Sequence, residues 1–167
     1  MVIIIFGVSG AGKTTVGELL ARELDWHFYE ADDFHSRANI AKMRRGLPLT
    51  DEDRWPWLED LRELIKRYVA ANENAVLACS ALKRVYRKHL RVTAEVKLVF
   101  LRGDYALVGG QLRHRRGHFM NPGLLLSQFA DLEEPQPEEE VLTIELGRPA
   151  HELVEEIKTK LRLRSES

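Results

Sequence analysis

Residues 7 to 14 read GVSGAGKT and fit the spacing G-x-x-x-x-G-K-[ST]. Glycines at these intervals let the backbone curl tightly enough to turn several N–H groups toward one point. Followed by a helix N-terminus, such a curl binds phosphate oxygens. In a P-loop of this kind the lysine, here Lys13, reaches the β- and γ-phosphates, and the hydroxyl after it, on Thr14, ligates Mg²⁺. The nucleotide cradle is therefore expected from Gly7, Val8, Ser9, Gly10, Ala11, Gly12, Lys13, Thr14 and Thr15. A P-loop specifies a nucleotide but not a reaction.

A second group is acidic. The stretch EADDFHS at residues 30 to 36 brings Glu30, Asp32, Asp33 and His35 close together. It reads either as a solvated loop or as part of a transfer site, where a carboxylate holds a Mg²⁺-bound water or accepts the proton of an attacking hydroxyl. Motor and GTPase chains place an acid after a later apolar strand. Here the apolar run AVLAC is followed by Ser80, Ala81, Leu82 and Lys83, so the acid has to come from elsewhere, and the 30 to 33 cluster is the obvious source. A third group is basic. Arg54 stands among acids and aromatics in GLPLTDEDRWPWL, a segment too irregular to be helical before Pro56, where its planar fork suits a carboxylate. Arg113, Arg115 and Arg116 in QLRHRRGHFMNPG end a helical pattern, and a glycine and a proline follow. Together they suggest a lid at about 113–123 that closes over a nucleotide. His114 and His118 have the spacing of a helical metal pair, but no third ligand lies nearby and Gly117 interrupts the helix, so a zinc site is not expected.

These groups need a scaffold. Short apolar runs at 2–6, 27–31, 75–79, 96–101 and 141–146 read as strands, the second of them weak by pattern. They alternate with helical periodicity at 13–24, 56–70, 81–91, 104–115, 123–132 and 149–162. That order predicts an α/β fold, a three-layer doubly wound sandwich with a five-stranded parallel sheet. The acidic, proline-bearing EEPQPEEE reads as an exposed connection before the last strand. At 167 residues one domain over 1–167 is expected. A net charge of -1 from 25 basic and 26 acidic residues gives no global field for nucleic acid or an anionic membrane. The lone Cys79 reads as a packed core thiol and fits a reducing cytoplasm, and the short apolar start MVIIIFGV is expected to be a buried strand and not a leader peptide or a membrane span.

Longer stretches carry a resemblance. ADDFH with the later N, KM, PL and DEDR.PWL, then CSALK..YR..LR, then GHFM, SQF and LEEP, resemble the gluconate kinases, relatives of shikimate and adenylate kinases. The match runs from the P-loop to about Pro135. It implies a P-loop kinase fold with a mobile lid, ATP as donor, Mg²⁺ as cofactor, D-gluconate as acceptor, 6-phospho-D-gluconate as product, a cytoplasmic protein and commonly a homodimer. It also implies roles. Asp32 matches the acid that orients the acceptor hydroxyl, and Glu30 stands where relatives have an aspartate near the Mg²⁺ shell. Arg54 matches the residue that grips the substrate carboxylate, and His35, Ser80, Lys83, His118 and Gln128 match acceptor or phosphate contacts. Arg115 matches the catalytic lid arginine, Gln111 replaces an arginine that many relatives carry, and Arg148 and Pro149 fall where relatives wrap the adenine. Two alternatives stand beside this reading: a kinase for another small anionic polyol such as shikimate, and a nucleotide-binding regulator without transfer activity.

Overall fold

The structure is a computed structural model that describes residues 1–113 and 124–164. Its five strands are β1 (Val2–Phe6), β2 (His27–Glu30), β3 (Ala75–Ala78), β4 (Val96–Arg102) and β5 (Leu142–Glu145). They form one sheet in the order β2-β3-β1-β4-β5, every neighbouring pair parallel. The helices are α1 (Lys13–Leu24), α2 (Arg37–Arg44), α3 (Asp51–Ala70), α4 (Arg84–Leu90), α5 (Tyr105–Arg113), α6 (Leu124–Asp131) and α7 (Ala150–Lys160). The α/β fold with a five-stranded parallel sheet is as expected.

Alternation along β1 decides the layers. Ile3 and Ile5 point to one face, where they meet Val16, Leu20 and Leu24 of α1 and Leu153, Val154 and Ile157 of α7. Ile4 and Phe6 point to the other, against Leu58, Leu61 and Ile65 of α3 and Tyr86 and Leu90 of α4. All four β1 side chains are fully buried. Each contributes roughly 1.5–3 kcal/mol from burial, so the central strand is firmly held in the sheet. Strand β2 lies at the sheet edge, half exposed, which explains its faint apolar signature.

Several local details are set by the folded chain. Strand β2 does not neighbour β1, because β3 lies between them. Helix α3 begins at Asp51, and Pro56 lies inside it rather than in its first turn. The earlier start follows from a capping box, in which Thr50 Oγ1 accepts from the Asp53 N–H at 3.1 Å and Asp53 Oδ2 accepts from the Thr50 N–H at 2.9 Å. Three acids in the first turn also favour the helix dipole, and together these offset the single backbone bond lost at Pro56. Residues 81 to 83 stay outside α4, since Ala81 adopts a left-handed backbone at φ 39°. Helix α2 and a 3-10 turn at Ala31–Phe34 were not anticipated.

The connection between α6 and β5 is not wholly exposed. It contains a 3-10 turn at Pro137–Glu139, and Glu139 pairs with Arg87 of α4 at 2.8 Å, with side-chain exposures of 8% and 1%. Arg87 also donates to the carbonyls of Ala81 (3.1 Å), Leu82 (2.9 Å) and Glu133 (2.9 Å), and its guanidinium lies 5.1 Å from the Phe6 ring centre. One buried cation thus ties α4, the 81–82 loop and the 133–139 connection to the central strand. Cys79 is buried and unbridged, as expected, and burial pushes its thiol up to about 12. Among the described residues no helix is long and apolar enough to cross a membrane.

Candidate active site

The P-loop leaves the carboxyl end of β1 and runs into α1, as its motif requires. Gly12, the residue before the helix, takes φ 93°, a conformation that strains any side chain. Lys13 curls back over the loop and donates to the carbonyls of Gly7 and Val8, both at 2.9 Å. The Ser9 N–H, in the middle of the loop, donates to Oε1 of Gln128 on α6 at 2.6 Å.

The acidic cluster reaches the loop although β3 separates their strands. Ile5, Ala78 and Glu30 are level across β1, β3 and β2, so Glu30 ends its strand beside the start of α1. Gly17 permits the approach, because a Cβ there would lie 2.7 Å from the Phe28 ring. Thr14 Oγ1 consequently donates a close hydrogen bond to the Glu30 carboxylate. Burial raises the Glu30 pKa above its ordinary value; the Thr14 hydrogen bond opposes this and the Asp32 charge adds to it. Asp32, in the 3-10 turn that Trp57 fixes by donating from Nε1 to the Ala31 carbonyl at 2.7 Å, is also raised. Burial is again the main cause, with the Lys13 charge opposing it and Asp33 adding to it. Asp33 itself is exposed.

His35 stacks on Trp57 with ring centres 4.1 Å apart, and its Nδ1 lies 3.3 Å from the Asn39 amide nitrogen. Burial, and then the Arg54 charge, hold its pKa at about 4, so the ring is neutral near pH 7. With the Asn39 amide donating to Nδ1, Nε2 carries the proton and can donate. Asn39 belongs to α2, which Ser36 caps by accepting the Asn39 N–H at 3.1 Å. Arg54 donates to the Tyr86 hydroxyl at 3.0 Å and to Asp131 at 3.1 Å.

One cavity gathers these groups. Ser9, Gly10, Lys13, Thr14, Glu30, Asp32, His35, Arg54, Ser80 and Gln128 all line it. Ser80 is held there by its own carbonyl, which accepts the Gly7 N–H at 3.3 Å. Met43, Leu47, Leu49 and Leu124 give the cavity an apolar wall that the sequence reading missed. The Ser36 cap was the available signal for the helix that carries Met43. A second cavity, on the other side of the P-loop, is lined by Gly10, Ala11, Gly12, Thr15, Gln111, Leu146, Arg148 and Leu153. Arg148 there pairs with Glu156 at 2.9 Å.

Two expected contacts lie outside both walls. Lys83 caps α4 and its ammonium pairs with Asp51 at 2.9 Å, a partner that draws it from the cavity. Pro149 precedes α7 next to two residues of the second cavity but lines neither. Arg115, His118 and the lid at about 113–123, together with His114, fall outside the described residues apart from Arg113.

A P-loop on the central strand, a carboxylate pair beside its threonine and a far arginine in the same cavity define the class: a P-loop kinase that acts on a small molecule. A shikimate kinase family model matches residues 9–122. A probable gluconokinase of Rattus norvegicus is 43% identical over 91% of this chain and 92% of its own. An unliganded sugar kinase from Janibacter superposes with a TM-score of 0.92 at 43% identity, covering 98% of this chain and 95% of the other. A gluconokinase from Sinorhizobium meliloti gives a TM-score of 0.81 at 38% identity, over 98% of this chain and 97% of the other. The chain belongs to the gluconokinase family, within the shikimate kinase-like P-loop kinases.

Proposed function

We propose that the protein transfers the γ-phosphoryl group of ATP to the 6-hydroxyl of D-gluconate by in-line displacement, giving 6-phospho-D-gluconate. The observation that carries this reading is the sharing of one cavity by Lys13, Asp32 and Arg54. Asp32 accepts a hydrogen bond from the acceptor hydroxyl and orients its oxygen toward the phosphorus. Its raised pKa suits a group that receives a proton late in the reaction. Lys13 leaves the Gly7 and Val8 carbonyls for the β- and γ-phosphates, where its charge stabilises the transferring group. Arg54 grips the acceptor carboxylate, and His35, Ser80 and Gln128 position the polyol or phosphate oxygens. The second cavity takes the adenosine end of ATP, with Thr15 and Arg148 in its wall.

The Thr14 hydroxyl and the Glu30 carboxylate supply the hard oxygen donors that suit Mg²⁺, which keeps most of its waters and phosphate ligands. An ion held by Thr14 and Glu30 would supply positive charge to offset that of the phosphates. The longer glutamate, in contact with the threonine hydroxyl, acts either directly or through a water. Arg115 and His118 belong to the proposed lid, and one catalytic domain acting within a homodimer completes the reading. Because the transition state is loose, alignment and charge outweigh proton removal. The test is acceptor-dependent ADP formation from ATP and Mg²⁺. Gluconate is expected to drive it, and ATP binding with no acceptor-dependent ADP would instead favour the regulator.

A further inference from the structure

The arginine proposed to grip the acceptor carboxylate does not stand alone. Its guanidinium is held from two sides by residues that do not line the cavity, Tyr86 of α4 at 3.0 Å and Asp131 at the end of α6 at 3.1 Å. The Tyr86 hydroxyl in turn donates to Asp51, which also pairs with Lys83 at 2.9 Å. The Arg54 side chain is 11% exposed and Asp131 is 31% exposed, so the pair lies at the inner edge of the surface, not free in solvent. Each anchor uses one donor of the fork, which leaves the remaining N–H groups of Arg54 for the cavity.

Helix α6 makes this arrangement more than a local ion pair. Asp131 and Gln128 are three residues apart, on one face of the helix. Gln128 accepts from the Ser9 N–H of the P-loop while Asp131 holds Arg54. Leu124 and Leu125 are buried and fix the helix, and the Glu133 N–H beyond it donates to the Leu82 carbonyl at 2.9 Å. The same short helix therefore sets the distance between the phosphate cradle and the acceptor arginine.

We propose that Asp131 is a positioning residue that sets the plane of the Arg54 guanidinium for the acceptor's carboxylate, and so contributes to selection of a sugar acid over the neutral polyol. It acts through Arg54 and touches no substrate. The inference rests on the carboxylate-binding role proposed for Arg54.

The experiment compares gluconate with glucitol, which has the same carbon skeleton without the carboxylate, in the wild type, Asp131→Ala, Asp131→Asn, Arg54→Met and the Asp131→Ala/Arg54→Met pair. Loss of a charge-assisted anchor is expected to raise the gluconate KM about tenfold in Asp131→Ala, with a smaller rise in Asp131→Asn. The ATP KM and kcat should stay within about twofold, and the gluconate-to-glucitol ratio of kcat/KM should fall by about the same tenfold. Asp131→Ala should add nothing on the Arg54→Met background. A merely structural role would instead change kcat, the ATP KM and the melting temperature together. An unchanged or lowered gluconate KM in Asp131→Asn overturns the inference, since the carboxylate would then be idle or a competitor of the substrate. Should Arg54→Met retain the preference for gluconate, the role proposed for Arg54 fails first, and the inference with it.

Discussion

Arg87 holds three segments through one buried guanidinium, so its loss should be costly. In Arg87→Met the side chain keeps its packing against Phe6, but Glu139 loses its ion pair and the carbonyls of Ala81, Leu82 and Glu133 lose their donor. Both charged side chains are more than nine-tenths shielded from solvent, so water does not replace the lost bonds. Removing one partner of a buried pair costs about 3–5 kcal/mol. For a chain of this size that corresponds to a fall of roughly 10 °C in melting temperature, using about 2–4 °C per kcal/mol. Urea unfolding at constant m-value measures the free energy directly. Adding Glu139→Gln should recover part of the loss, because the stranded carboxylate is then neutral. The pH dependence has a definite sign. Burial pushes the Glu139 pKa up, but the Arg87 and Gln136 hydrogen bonds and the Arg87 and Arg84 charges together bring it below its ordinary value, so its contribution is present above the unfolded value and is lost as pH falls through the folded one. Arg87→Met should flatten that acid-side loss. A cost below about 1 kcal/mol, within the usual range of exposed pairs, would refute the idea that this cation ties three segments together.

Other expectations follow from the site. Lys13→Ala and Asp32→Asn should each lower kcat by about a hundredfold or more with the fold intact. Since burial raises the Asp32 pKa, Asp32→Asn should also melt no lower than the wild type, and a near-normal rate in that variant would remove its assigned role. His35 is held near 4, so between about 6.5 and 4 the unfolded chain binds a proton that the folded chain refuses; His35→Gln should reduce the loss of stability as pH falls through that window, measured by urea midpoints. Gly17→Ala should force α1 away from Phe28, costing about 1–3 kcal/mol, and should weaken Mg²⁺-dependent nucleotide binding by displacing Thr14 from Glu30, which calorimetry would register.

Much of this was legible in local sequence. The P-loop, the β1 alternation and the buried runs of β3 and β4 depend on near neighbours, and the structure places them as expected. The acidic cluster reaches the P-loop even though β3 lies between β2 and β1. The reason is register: Glu30 and Ile5 each pair with Ala78, so the two strand ends are level whichever strand lies between. What could not be read was long-range. Arg87 and Glu139 are 52 residues apart, and Arg54 and Asp131 are 77 apart, with no periodicity to link either pair. The sequence RANIAKMR of α2 is too polar to show an amphipathic stripe, and only its Ser36 cap pointed to a helix. Lys83 was expected at the site through the resemblance of CSALK, and Ser80 and Leu82 of that stretch do line the cavity, but the Lys83 ammonium is taken up by Asp51, 32 residues earlier in the chain.

One cavity is proposed to join a phosphoryl donor to a carboxylate-bearing acceptor. A coupled assay of ADP release with ATP and Mg²⁺ tests it most directly, run against gluconate, shikimate, other aldonates and nucleoside monophosphates, with the product's phosphate located by NMR. ADP release with gluconate should stand well above the others, with phosphate on the 6-oxygen. Silence with gluconate alongside turnover of another acceptor would contradict it.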